Sequence, residues 1–151
     1  MQEQTRGPKQ VIVKTMTVNK GTDIVHNFFE NMKYMEIGGE IKPASLMKHD
    51  DGWWTFDHRV AGKSKMKHKS VPEFGILDHV FIGGGLEWHV FARIIPNESG
   101  STVTWTFIRP DGLVNEQFER QLQNFDNEIS NWKAALEKPI EKEAIKLHGC
   151  K

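Results

Sequence analysis

The chain has 151 residues, with 20 Lys plus Arg balanced by 20 Asp plus Glu; it fits one domain burying roughly 68–70% of its unfolded surface, and zero net charge offers no field to recruit nucleic acid or an anionic membrane. The single cysteine, Cys150, excludes an intramolecular disulfide and fits a reducing compartment. MQEQTRGPKQ at the start lacks the apolar segment of a signal peptide and no run of about 18 apolar residues follows, so the expectation is a cytoplasmic protein without a membrane span.

In chain order, residues 1–10 read as a flexible polar arm. Val11 to Asn19 is β-branched and partly alternating, the signature of a strand. In GTDIVHNFFENMKYM, Thr22 or Asp23 can cap a helix on which Ile24, Phe28 and Met32 share a face, with a break into a second short helix before Gly38-Gly39. From Glu40 to Arg109, short β-rich runs are punctuated at Asp51-Gly52, Ala61-Gly62, Pro72 to Gly75, Gly83 to Gly85 and Pro96 to Gly100, which delimits six further strands. Their hairpin-length gaps require antiparallel neighbours, because parallel ones need crossovers of a dozen residues or more.

A long helix follows. Val114, Phe118, Leu122, Phe125, Ile129, Trp132 and Leu136 recur at steps of 4, 4, 3, 4, 3 and 4, which aligns them on one helical face. Pro139 ends or kinks that helix, and residues 139–151 read as a charged tail. The outcome is an α+β domain over 11–138 in which a seven-stranded curved antiparallel sheet, in the order β-α-α-β6-α, wraps a long C-terminal helix and leaves a cavity between them.

GILDHVFIGGGLEWHVFARIIPNESGSTVTWTFIRP and FERQLQNFDNEISNWKAALE, set in this order of elements, resemble the START-like, polyketide cyclase/dehydrase (SRPBCC) superfamily, and within it the uncharacterised bacterial and archaeal members. The resemblance implies the helix-grip fold and a cavity for a small hydrophobic molecule, lipids included. No catalytic motif of the family's cyclases matches residue by residue.

Strand alternation assigns the cavity wall. Trp54, Phe56, His58 and Val60 share one face; Met66, His68 and Ser70 oppose Lys65, Lys67 and Lys69, a solvated stripe. A three-residue turn then pairs Val60 with Ser64 and Phe56 with His68. In the last hairpin, Trp88, Val90, Ala92 and Ile94 face inward with Val103, Trp105 and Phe107, and His89, Phe91 and Arg93 face out. Trp54, Phe56, His58, Met66, His68, Trp88, Val90, Trp105 and Phe107, with Phe118, Leu122, Phe125 and Ile129 from the helix, form the expected binding wall. Asp78 and His79 point to opposite faces: counting back from a three-residue Gly83 to Gly85 turn favours Asp78 inward, counting forward from Pro72 favours His79, and a bulge would reconcile them. The balance leans to His79.

His49, His58, His68, His79 and His89 recur at intervals of 9, 10, 11 and 10. A zinc site needs His68, His79 and His89 on one face, and the registers oppose it, so neither metal nor cofactor is expected. The leading reading is binding of a small hydrophobic ligand, its polar end oriented by His58, His68 and Asp78 or His79. The second is a cyclase- or dehydratase-like enzyme with His58 or His68 as general acid or base and Arg109 anchoring a carboxylate or phosphate. A third is a co-chaperone-like interaction module using the Lys63 to Lys69 stripe, and outward Trp53 and Phe91 would allow a homodimer patch.

Overall fold

A computed structural model describes residues 7–138; the tail and most of the polar arm lie outside the described residues. Strand β1 (Val11–Val18) precedes helices α1 (Thr22–Glu30) and α2 (Tyr34–Gly38). The meander β2 (Met47–Lys48), β3 (Trp54–His58), β4 (Gly62–Val71), β5 (Ile76–Gly83), β6 (Leu86–Asn97) and β7 (Gly100–Ile108) leads into α3 (Asn115–Leu136). One antiparallel seven-stranded sheet results, in the order β1-β7-β6-β5-β4-β3-β2. Its concave face closes on α3, whose Phe118, Leu122, Trp132 and Leu136 are buried. Val114, expected on the stripe, is the exposed residue just before the helix. Lys14 of β1 pairs with Asp126 of α3 at 2.8 Å, tying the edge strand to the helix.

Three sequence expectations change. In α1 the capping position is Gly21, with no side-chain cap, and Ile24 is 49% exposed. The buried face is Val25, His26 and Phe29, turned toward β6 and β7. The β3–β4 turn falls earlier than expected, so Phe56 pairs with Ser64 and Trp54 with Met66. The cause is local: the His58 ring accepts hydrogen bonds at Nδ1 from the Val60 and Ala61 amides, 3.1 Å each, and Gly62 supplies the left-handed φ of 76°. Val60 therefore sits in the turn, 69% exposed. Because the register slips by an even number of residues, the facing of Phe56, Met66 and His68 survives.

The third change concerns the glycines. Only Gly84 and Gly85 form the β5–β6 turn, with φ of 61° and 78°, as a type I′ hairpin requires. Gly83 remains in the strand opposite Leu86, which sets His79 opposite both His68 and Val90. No bulge is needed. Asp78 points outward, accepting from Arg93 Nη1 at 2.7 Å and from the Ala92 amide at 3.0 Å.

Before β5, a 3-10 turn (Pro72–Phe74) ends at Gly75, whose φ is 65° and whose missing Cβ would stand 2.3 Å from the Ile94 carbonyl oxygen. The Gly75 carbonyl accepts from the Ile94 amide at 2.8 Å. Gly75→Ala must strain this φ and displace the backbone of β6 together. A loss of about 2–3 kcal/mol is expected, read as a lower denaturant midpoint with unchanged slope.

Candidate functional site

A cavity of about 270 Å³ lies between the concave sheet and α3. Among the residues expected in its wall, His58, Met66, His79, Trp88, Val90, Trp105, Phe107, Leu122 and Phe125 line it. The exposed Val60, Gly84 and Asn124 are also lining residues, which places an opening between the β3–β4 turn, the β5–β6 turn and α3. The interior end is aromatic: Trp105 stacks at 5.6 Å on Trp132 and meets Phe125 edge-on at 5.3 Å.

The remaining expected residues lie elsewhere. Phe56 is buried against Phe81, and Trp54 packs against the core. Phe118 is fully buried beneath Trp88 at 5.9 Å, and Ile129 is packed against the core on α3. Arg109 is no anchor at the cavity: its Nη1 donates to the Leu113 carbonyl just before α3. His68 stands behind the wall, its Nε2 2.8 Å from the Tyr34 hydroxyl and its Nδ1 buried without a partner. His79 stacks obliquely on it at 5.1 Å. His89 lies on the opposite face, 2.7 Å from Glu87, so the three histidines do not converge. Among the described residues no group of three His, Cys, Asp or Glu is placed to hold a metal ion.

The lining also contains residues that periodicity did not single out. Tyr34 and Met35 come from α2, Glu40 from the segment after it, and Gln121 and Glu128 from α3, beside Trp132 of the expected stripe. Glu128 was readable in principle. It stands three residues after Phe125 and four before Trp132, so it shares their helical face. An acid inside an apolar stripe is the signal. Its carboxylate Oε2 lies over Gly38, where a Cβ would come within 3.0 Å of it. Glycine is what lets α2 approach α3 this closely, and the Trp132 indole N–H seals the contact by donating to the Tyr34 carbonyl at 2.8 Å.

Burial, then the neighbouring Glu40 charge, pushes the Glu128 carboxyl up to about 8. It is therefore mostly protonated at neutral pH. Burial holds the histidines neutral: His68 falls to about 4, and His58 lies below its ordinary value. His79 is pushed well below 6.5 by burial and then by His68. Tyr34 is raised by burial and by Glu128, so its hydroxyl keeps its proton. With Nδ1 occupied as an acceptor, neutral His58 carries its proton on Nε2. The cavity thus combines apolar walls with a protonated carboxyl and neutral imidazoles.

No known protein family and no curated protein matches the chain by sequence. Solved structures do match in shape. A START superfamily protein from Mycobacterium smegmatis superposes with a TM-score of 0.67 at 10% identity, covering 85% of this chain and 97% of its own. The Zhui aromatase/cyclase from Streptomyces sp. R1128 gives 0.66 at 15% identity, covering 85% and 94%. Truncated norcoclaurine synthase from Thalictrum flavum gives 0.64 at 10% identity, covering 89% and 99%. No helix among the described residues is long and apolar enough to cross a membrane. Element order, sheet order and these superpositions agree that the chain has the helix-grip fold of START-like (SRPBCC) proteins.

Proposed function

We propose that the chain binds a small, largely apolar molecule between the sheet and α3. The observation that carries this reading is the cavity itself: about 270 Å³, walled by Trp88, Trp105, Phe107 and Phe125, with a few converging polar groups. Apolar walls supply affinity through burial and sparse polar groups supply orientation. A core that merely filled its interior would leave no such space, since packed interiors hold few voids larger than a water molecule.

Native mass spectrometry of the purified protein tests it. The expected spectrum contains an added small-molecule mass that is lost on denaturation, or a stoichiometric adduct when small aromatic compounds are supplied. Ala61 lines the opening and packs near Gly84. Ala61→Trp should remove the adduct while the variant keeps the parent's circular dichroism spectrum and a single cooperative unfolding transition, since the half-buried Ala61 side chain stands at the opening. An adduct that persists in this variant would move binding out of the cavity.

A second reading, acid–base catalysis on the bound molecule, is favoured by one observation: Glu128 is held protonated and His79 neutral in the same cavity. Groups whose environments drive their pKa values apart are what acid and base roles require. This reading moves the roles from His58 and His68 to Glu128 and His79. Its test is turnover of a bound carbonyl compound, with Glu128→Gln lowering kcat rather than affinity.

A further inference from the structure

Apart from the neutral histidines and Tyr34, the ionisable groups facing the cavity are acids. Glu128 and Glu40 line it, and no Lys or Arg is among its lining residues. On every side the groups facing Glu128 fail to neutralise it. α2 offers Gly38 and the Tyr34 ring, α3 offers Asn124 and Trp132, the sheet offers neutral His58 and His79, and the segment after α2 offers a second carboxyl, Glu40. Arg59, next to His58 in sequence, is exposed and spends its Nε on the Gly39 carbonyl. Among the described residues Glu128 has neither a hydrogen-bond nor an ion-pair partner. A carboxyl facing a cavity without a protein partner is costly unless something enters to satisfy it.

We infer that this cavity selects a small hydrophobic amine, its ammonium lodged between Glu128 and Glu40 and its apolar body against Trp105, Phe125 and Trp132, and that it rejects carboxylates such as fatty acids. The inference rests on the ligand-binding reading above and adds the ligand's charge class. Three features of the site favour it. An ammonium donates three hydrogen bonds and accepts none, matching the two carboxyls that line the cavity. Its charge is stabilised by the faces of the surrounding rings as well as by the carboxylate. An anion would meet like charge from Glu40 in a desolvated space, where repulsion is strongest. Binding the cation also drives the proton off Glu128, so the complex forms with proton release.

Calorimetric titration with 4-phenylbutylamine, 4-phenylbutan-1-ol and 4-phenylbutyrate separates the possibilities, because the three share one apolar body. The amine should bind at least tenfold tighter than the alcohol at pH 8, with the acid weakest. Between pH 7 and 9 the amine's affinity should rise about tenfold, following ionisation of a carboxyl near 8, while the alcohol's stays flat. In Glu128→Gln the amine's advantage over the alcohol should fall to within about threefold, with an unchanged circular dichroism spectrum as evidence of an intact fold; Glu40→Gln should reduce it in part. Equal binding of all three compounds would overturn the amine assignment and leave the cavity-binding reading standing. Tighter binding of the acid would overturn the assignment too. No binding by any of the three would overturn both.

Discussion

Replacing Trp132 by alanine is expected to destabilise the protein by about 3–5 kcal/mol, the range for deleting a large buried aromatic from a core. Trp132 is 2% exposed and sits where three layers meet. Its ring lies 5.3 Å from Phe29 of α1, 5.4 Å from Tyr34 of α2, 5.6 Å from Trp105 of β7 and 5.3 Å from Phe125 about two turns away on α3. The truncation therefore removes apolar contact on four sides at once. It also strands the Tyr34 carbonyl, which loses its indole donor. Trp132→Phe separates the two contributions: it keeps most of the packing and should cost about 1–3 kcal/mol, chiefly the unsatisfied carbonyl. Chemical denaturation monitored by far-ultraviolet circular dichroism gives both values. Equal losses in the two variants would mean that the hydrogen bond, and not the ring packing, ties α2 to α3.

The same residue illustrates what sequence could reach. Trp132 belongs to a stripe with 3.6-residue periodicity, and a stripe of that length has only one way to be buried, so α3 and its inner face were legible in advance. Facing in the strands was legible for a similar reason, since alternation depends only on parity. It is unaffected by the earlier β3–β4 turn, and Trp88, Val90, Ala92, Ile94, Val103, Trp105 and Phe107 are all buried as alternation requires. Registers were less accessible, because they depend on which residues a turn consumes. The His58 ring closes one turn with its own nitrogen, and the glycine turn uses two of three glycines; neither choice is written in hydropathy. The polar part of the cavity was the least accessible. Glu40 reaches it from an irregular segment with no period to read, and Glu128 looks like one more solvated acid until α2 is docked over it through Gly38.

Stability should peak near pH 6.5 and fall by about 2 kcal/mol by pH 9, and Glu128→Gln should abolish that alkaline fall. The unfolded chain releases the Glu128 proton near 4.5, whereas the folded protein holds it to about 8. Between those values the folded state binds more protons, so stability declines as pH rises. The histidines act in the opposite direction. His68 titrates at 6.5 when unfolded and near 4 when folded, and His79 and His58 are shifted the same way. The unfolded state then binds more protons in that lower window, so stability is lost as pH falls below 6.5. From about 4.5 to 6.5 the two effects oppose each other; above 6.5 only Glu128 continues to act, and the interval from 6.5 to 8 at 1.36 kcal/mol per pH unit gives the 2 kcal/mol. Glutamine reproduces the shape of the protonated acid without its titration. The variant should therefore hold its stability above pH 6.5 and show a steeper loss below it, where the histidines act without opposition. Urea midpoints at half-unit intervals from pH 4 to 9 test both limbs. A parent profile that is flat from 6.5 to 9 would mean that Glu128 is already ionised in the fold, and its cavity already charged at neutral pH.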